Sequence, residues 1–145
     1  MRKIPLEVYN FANSLRPMAH FLLTSEDPKI FAPINAIVDT GSPITLIGPT
    51  DLSRMRLSSI QIKKLIGKNR PINIGGEQIS ARTLEKANLK FGEHLKIEMP
   101  VNFPINIDNK STQPSLLGVD FMLKTGAKLV FNPSKKEAYF EIEED

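Results

Sequence analysis

The sequence contains no cysteine, and it has no long uninterrupted run of apolar residues. The first absence excludes disulfide bonds and metal sites with cysteine ligands. The second excludes a transmembrane helix, which needs about 20 consecutive apolar residues. Residues 1–7 also lack the apolar segment of a secretory signal peptide. We therefore expect a soluble cytoplasmic protein that has no membrane partner.

Histidine is scarce as well, since the chain contains only His20 and His94. Neither has a second ligand at metal-binding spacing, so we predict a structural or surface role for both. No metal and no other cofactor is expected. A phosphate-binding loop is disfavoured too, because the glycine pair Gly75-Gly76 is not followed by lysine and serine or threonine.

The composition is typical of one globular domain. Of the 145 residues, 41% are hydrophobic and 24% are charged, which allows a sizeable core. The sequence shows no internal repeat, low-complexity segment or linker. We expect an N-terminal arm or edge strand over residues 1–18 and one domain over residues 19–145.

The net charge is mildly basic, +3 at pH 7, and the charge is unevenly distributed. An acidic cluster occupies residues 141–145. One stretch carries six basic residues with no acid between them: Arg54, Arg56, Lys63, Lys64, Lys68 and Arg70. This stretch is open to interpretation as a nucleic-acid surface. A solvated helix face is favoured instead, so nucleic acid is not expected as a partner.

The most informative stretch places one aspartate between two largely apolar runs. Residues 36–38 are Ala-Ile-Val, residues 39–42 are Asp-Thr-Gly-Ser, and residues 44–47 are Ile-Thr-Leu-Ile. Strand residues on both sides should be buried, and burying a carboxylate is costly unless something compensates its charge. Asp39 therefore either caps a turn or serves chemistry.

The sequence pattern of the N-terminal half predicts short strands followed by short helices. We expect strands over residues 19–24, 29–38 and 44–47, with a turn over residues 25–28. One helix should begin at Thr50-Asp51 through side-chain capping. A second should run from residue 58 or 59 to residue 66 and end before Gly67.

The C-terminal half adds hairpins and one long strand. Residues 71–79 indicate a hairpin around the glycine pair, and the alternation over residues 95–105 predicts a strand with one buried face. Asp120 can open a short helix that Gly126 ends, and residues 129–142 indicate a closing hairpin. These elements indicate a mostly β domain, a small closed or folded-over barrel with two or three short helices.

The order of these motifs resembles that of the retropepsin-like aspartic proteases. The catalytic loop of that family, Asp-Thr/Ser-Gly-Ala/Ser, is matched by Asp39-Thr40-Gly41-Ser42. Its glycine-rich flap is matched by Ile74, Gly75, Gly76 and Glu77. Its later signature, two apolar residues and a glycine before a helix, is matched by Leu116, Leu117 and Gly118. The resemblance implies the small closed β-barrel of these proteases.

Three departures separate the chain from the viral pattern. Pro43 follows the catalytic loop directly, residues 4–18 have no counterpart, and residues 51–70 are richer in helix. These features fit a cellular or microbial member of the family.

Peptide hydrolysis by this route needs two carboxylates that share one proton around a water molecule. The chain has one Asp-Thr-Gly sequence, and Asp120, which follows glycine and valine and opens a helix, is a poor second candidate. The partner carboxylate should therefore be Asp39 of a second copy, because a two-fold axis places identical residues face to face. We predict a homodimeric aspartic endopeptidase acting on a peptide or protein substrate bound as an extended strand.

The neighbours of Asp39 have expected roles. The Thr40 hydroxyl should hydrogen-bond across the catalytic pair, and Gly41 should point its N–H at a carboxylate oxygen. By resemblance, Ser42 should donate to the outer carboxylate oxygen. Gly118 lacks a side chain, so its two neighbours can pack closely beneath the catalytic loop.

A second class of function stays open. A preserved loop does not guarantee an open cleft, so the chain is alternatively a non-catalytic dimerisation or peptide-binding module that retained the fold. Likewise, Gly75-Gly76 is alternatively a plain hairpin turn rather than the tip of a flap.

Overall fold

The computed structural model describes residues 1–55, 70–74, 77–104 and 113–144 of the chain. The strands in these ranges are β1 (Arg2–Pro5), β2 (Glu7–Phe11), β3 (Ser14–Glu26), β4 (Lys29–Val38), β5 (Arg70–Ile74), β6 (Glu77–Phe91), β7 (Leu95–Pro104), β8 (Ser115–Leu117), β9 (Lys128–Asn132) and β10 (Glu137–Ile142). The helices in the same ranges are α1 (Pro49–Arg54) and α2 (Val119–Thr125), and a 3-10 turn covers Pro133–Lys135.

The described strands form two sheets. The larger has the order β5-β6-β3-β4-β8, with β2 added beside β3 and β7 beside β6. The smaller has the order β1-β10-β9, so it joins the two ends of the chain. The mostly β class is confirmed. Closure is not confirmed, because neither sheet closes into a barrel within the described ranges.

The main core lies on one face of β3 and β4. Alternate residues of β4 point into it, among them Ile30, Ile34 and Ala36, as the period of two of a strand requires. Four aromatic rings then connect the sheet to α2 and β10. The centroids are 5.1 Å apart at each step of the series Phe21, Phe91, Phe121 and Phe140. Each such tilted ring pair contributes about 1 kcal/mol of stability beyond the contribution of the apolar area that it buries.

A smaller apolar cluster lies on the opposite face of the same sheet. Met18 and Ile37 face each other across β3 and β4, out of phase with the residues that point into the main core. The buried members of this second cluster are Met18, Ile37, Leu46, Ala81 and Leu116, with Phe11 and Ile44 packed against them. The sheet therefore has apolar side chains on both faces at the end where β4 leads into Asp39.

Several predicted elements are confirmed. The strand over residues 29–38 is β4, and the closing hairpin is β9 and β10. Gly126 ends α2 in the left-handed conformation, with φ of 72°. The strand predicted over residues 19–24 is longer, since β3 begins at Ser14.

The strand predicted over residues 44–47 is wrong. Leu46 makes isolated bridges to Asn102 and to Leu116, but no ladder forms. The reason is that the Thr45 N–H donates to the side chain of Asp120 rather than to a neighbouring strand. This segment crosses between β7 and β8 instead of continuing either of them.

The predicted helix starts are also corrected. Gly48 is the N-cap of α1 and Gly118 is that of α2, and neither makes a side-chain cap hydrogen bond. Pro49 at the first position supplies the helical φ of α1, while Asp51 turns inward and is buried. The second predicted helix and Gly67 lie outside the described residues.

Burial along β7 departs from simple alternation. The strand alternates as far as Pro100, but the last four residues are all buried. The second face is covered there because Asn102 exchanges backbone hydrogen bonds with Thr45 and Ile47. No helix within the described residues has the length and apolar content needed to cross a membrane.

Of the two alternatives expected for residues 1–18, an arm or an edge strand, the structure shows strands. β1 pairs with β10, and β2 pairs with β3 through a tight turn at Ala12 and Asn13. Both turn residues have positive φ, 51° and 63°, as the turn type that suits hairpin twist requires. The predicted basic helix face falls largely outside the described residues. Within them, Arg54 pairs with Asp51.

Candidate active site

The fold brings the two sequence motifs side by side. β4 and β8 pair in parallel, with Val38 opposite Leu117. The Asp39 N–H then donates to the Leu117 carbonyl at 3.0 Å. Asp39 therefore leaves the end of β4 directly beside the Leu116-Leu117-Gly118 segment, as the family resemblance implies.

The loop holds one oxygen of the Asp39 carboxylate. The Gly41 N–H donates to Asp39 Oδ1 at 2.9 Å, as predicted, and the Ser42 N–H donates to the Asp39 carbonyl at 3.1 Å. Among the described residues, no hydrogen bond reaches the second carboxylate oxygen. Asp39 is half-buried and Thr40 is exposed, so the middle of the loop lies at the protein surface.

The role predicted for Ser42 is not observed. Its side chain is buried and its hydroxyl donates to the Ile44 carbonyl at 2.7 Å, not to Asp39. A buried hydroxyl has one hydrogen to donate, and the turn places a carbonyl closer to it than the carboxylate. The Ser42 carbonyl also accepts the Val119 N–H at 2.8 Å. Ser42 thus fastens the loop to the start of α2.

Gly118 occupies a position with no space for a side chain. A Cβ atom there would lie 2.3 Å from the Ile44 carbonyl oxygen and 2.8 Å from the Ser42 carbonyl oxygen. The predicted close packing beneath the loop is confirmed, and its cause is a crossing of two backbone segments. Leu117, fully buried, packs into the main core.

Asp120 is a structural carboxylate. Both of its oxygens accept hydrogen bonds from Thr45, and Oδ1 also accepts the Phe121 N–H. Burial raises the pKa of Asp120 above its ordinary value, and the hydrogen bonds from Thr45 and Phe121 act in the opposite direction. Sequence reasoning missed the role of Thr45. The available signal was a polar residue between apolar ones, at residues 44–47.

The candidate flap is the hairpin of β5 and β6. These strands are antiparallel, with Ile74 opposite Glu77 and Arg70 opposite Ala81. Gly75 and Gly76 lie outside the described residues. The hairpin predicted over residues 71–79 is confirmed for its two strands, and its flap role stays a prediction.

A chain of buried polar groups joins β6 to the segment that follows the Asp39 loop. The Thr83 hydroxyl donates to Asn102 Oδ1 at 2.7 Å, and Asn102 Nδ2 donates to the Thr45 carbonyl at 2.9 Å. Thr45 in turn donates to Asp120. These contacts hold the strand that carries the candidate flap, the loop after Asp39 and α2 in one arrangement.

The histidines lie on the surface, apart from this site. The ring nitrogens of His20 lie 2.6 Å from Glu7 Oε2 and 2.6 Å from Asn35 Oδ1. His94 is exposed in the turn before β7. In the part of the chain that the structure describes, no group of three or more acidic or histidine side chains is arranged to hold a metal ion.

Neither a scan against protein-family models nor a search of curated proteins gives a match. Solved structures do resemble this chain. The EIAV protease in complex with the inhibitor HBY-793 superposes with a TM-score of 0.52 at 17% identity, covering 85% of this chain and 100% of that one. A retropepsin-like aspartic protease from Rickettsia conorii gives a TM-score of 0.55 at 12% identity, covering 95% of this chain and 89% of that one. This chain therefore has the retropepsin-like fold of aspartic proteases.

Proposed function

We propose that the chain is one subunit of a homodimeric aspartic endopeptidase whose two Asp39 carboxylates activate a water molecule. The observation that carries the proposal is the state of Asp39. It sits half-buried at the end of β4, one oxygen is held by Gly41, and within the described residues the other is free of hydrogen bonds. A capping aspartate needs only the first contact, whereas a catalytic one needs the second oxygen available.

The loop is rigid in a way that suits this chemistry. Contacts with Leu117, Ile44 and Val119 fix its backbone, while Thr40 is exposed and its hydroxyl makes no hydrogen bond within the described part of the chain. Fixed groups around reacting atoms avoid reorganisation during the reaction. In the proposed dimer, the Thr40 hydroxyl bonds across the two-fold axis and holds the two loops together.

The proposed reaction uses the pair as one acid and one base. The ionised carboxylate takes a proton from water as the water oxygen attacks the peptide carbonyl carbon. The protonated carboxylate gives its proton to the carbonyl oxygen, so a neutral tetrahedral diol forms. The carboxyl group that took the water proton then gives it to the peptide nitrogen, while the other carboxylate takes a proton from one diol hydroxyl. The C–N bond breaks, a carboxylic acid and an amine leave, and the pair returns to its starting protonation state.

The test is the substitution Asp39→Asn, with Asp27→Asn on the exposed β3–β4 turn as the matched control. We expect Asp39→Asn to lower peptide cleavage on the order of 10³-fold or more, as for other groups that act on the reacting atoms. Sedimentation should still show a folded dimer. Cleavage that survives in Asp39→Asn would rule out the proposal.

Inhibitor binding separates the enzyme from a non-catalytic module. At 100 times its Kd, pepstatin should stabilise the wild type by about 2.7 kcal/mol, because it binds only the folded state. A folded dimer that neither cleaves peptides nor gains stability with pepstatin would instead be the dimerisation module.

A further inference from the structure

We propose that the N-terminal hairpin of β2 and β3 is an autoinhibitory element, with Phe11 occupying the apolar floor beside Asp39 where a substrate side chain would bind. This inference rests on the proposed function for the identity of the cleft. Phe11 is half-buried and packs against the second apolar cluster.

The second cluster lies beside the Asp39 loop. Ile37 comes two residues before Asp39, it pairs with Leu116 across β4 and β8, and Leu116 bridges to Leu46 after the loop. Side chains two residues apart in an extended chain share a face, so Asp39 and Ile37 point to the same side of the sheet. A peptide bond placed at Asp39 would therefore lay its neighbouring side chains on this cluster.

The cluster also reaches the candidate flap. Ala81, its member from β6, lies opposite Arg70 at the base of the β5–β6 hairpin. An extended substrate held between the catalytic loop and this hairpin would cross the same apolar surface. In this structure the cluster is buried, since Ile37, Leu46, Ala81 and Leu116 are each no more than 4% exposed.

Phe11 reaches the cluster because β2 follows the outward extension of β3. The pairing of β3 with β4 stops at Met18 and Ile37, but β3 continues back to Ser14, and among the described strands β2 alone pairs with that end. Cross-strand partners share a face, and the pairs Glu7–Met18 and Phe11–Ser14 place Phe11 on the face of Met18. The hairpin thus projects past the level of Asp39 and turns one aromatic ring toward the cluster.

Few contacts hold β2 to the rest of the protein. It is an edge strand of five residues whose ladder partner within the described residues is β3 alone. Beyond the ladder it is held by the contact between Glu7 and His20 and by the Leu6 N–H to the Ala138 carbonyl. Lifting β2 from β3 would withdraw Phe11 and uncover the cluster, while the pairings of β3 with β4 and β6 would remain.

The first test compares Phe11→Ala with Tyr9→Ala, a control on the same strand whose ring is 42% exposed and outside the cluster. Burying a phenylalanine side chain is favourable enough to hold the closed form in about tenfold excess. With a peptide rich in apolar residues, Phe11→Ala should lower KM about tenfold with little change in kcat, and Tyr9→Ala should leave KM unchanged. An unchanged or higher KM in a folded Phe11→Ala protein overturns the inference.

A second variant keeps Phe11 and so avoids loss of folding. Asn10 and Leu15 are paired across β2 and β3, so the double variant Asn10→Cys/Leu15→Cys should form a disulfide that holds the two strands together. The chain has no other cysteine that could compete. The oxidised protein should cleave at least fivefold more slowly than after reduction. Equal activity in the two forms overturns the inference.

Dye binding distinguishes failure of this inference from failure of the proposed function. The fluorescent probe 8-anilinonaphthalene-1-sulfonate should bind folded Phe11→Ala more strongly than the wild type or Tyr9→Ala, whether or not any variant cleaves peptides. Cleavage that depends on Asp39 but no gain in dye binding and no fall in KM overturns the inference alone. A gain in dye binding without cleavage by any variant overturns the proposed function and leaves a covered apolar binding surface.

Discussion

The Asp120 carboxylate accepts two hydrogen bonds from Thr45, one from the backbone N–H and one from the hydroxyl, each 2.8 Å long. The same hydroxyl accepts the Gly118 N–H at 3.2 Å. One threonine therefore ties the segment after the Asp39 loop to the first turn of α2. Side-chain contacts here replace the strand ladder that the apolar pattern predicts.

The burial of Asp120 predicts the direction in which the free energy of unfolding changes with pH. Burial raises the pKa of Asp120 above its ordinary value of 3.8, so the folded protein holds the proton more tightly than the unfolded chain does. The stability from this group is complete below pH 3.8 and is lost as the pH rises through the raised pKa. Between pH 3.8 and the raised pKa, the free energy of unfolding of the wild type should therefore fall relative to that of Asp120→Asn. Above the raised pKa, the difference between the two free energies should stay constant.

Urea unfolding of both proteins at a series of pH values measures this difference. A difference that is constant across the window, or that moves in favour of the wild type as the pH rises, would contradict a carboxylate destabilised by burial. The comparison depends on the two variants sharing the same unfolded state, which equal m-values would establish.

The crossing at Gly118 gives a prediction on stability. In Gly118→Ala the new Cβ would meet backbone oxygens of Ile44 and Ser42, which cannot move aside as a flexible side chain can. We expect a loss of about 3 kcal/mol or more, the upper range for overpacking. Gly126→Ala is the matched control, since its Cβ would enter open space and only the positive φ of 72° costs stability, about 1 kcal/mol.

Thermal or urea unfolding of the two alanine variants checks this ranking. Equal losses would mean that the loop after Asp39 and the segment before α2 do not cross as closely as described. If peptide cleavage by Gly118→Ala falls by more than the loss of folded protein explains, the crossing also positions the Asp39 loop.

Local signals in the sequence predicted much of this fold. The alternation of β4, the turn residues of the closing hairpin and the glycine that ends α2 each act over a few residues, and each is observed. The Asp39 loop and the Leu116-Leu117-Gly118 segment were predicted as motifs. Their pairing in space follows from the parallel contact of β4 with β8.

Contacts between distant segments could not be predicted in this way. Asn102 falls in the polar phase of the β7 alternation, yet it is buried, because Thr45 supplies partners from 57 residues away. A polar residue is predicted to be exposed unless its hydrogen-bond partner is known. No local pattern in the sequence links Asn102 to Thr45. Phe11 was overlooked for the same reason, since its cluster is assembled from five different parts of the chain.

A last prediction concerns the attachment of α1 to β8. The Ser115 hydroxyl accepts the Gly48 N–H at 2.8 Å and donates to Asp51 Oδ2 at 2.6 Å, and both side chains are buried. Ser115→Ala would leave a buried N–H without an acceptor and a buried carboxylate with Arg54 as its remaining partner. We expect a loss of about 3 kcal/mol, since unsatisfied buried groups, charged ones above all, are costly. The exposed Ser53 of the same helix is the control, and Ser53→Ala should change stability by no more than about 0.5 kcal/mol. Urea unfolding that gives equal losses for the two serines would show that these hydrogen bonds are not what fixes α1 beside β8.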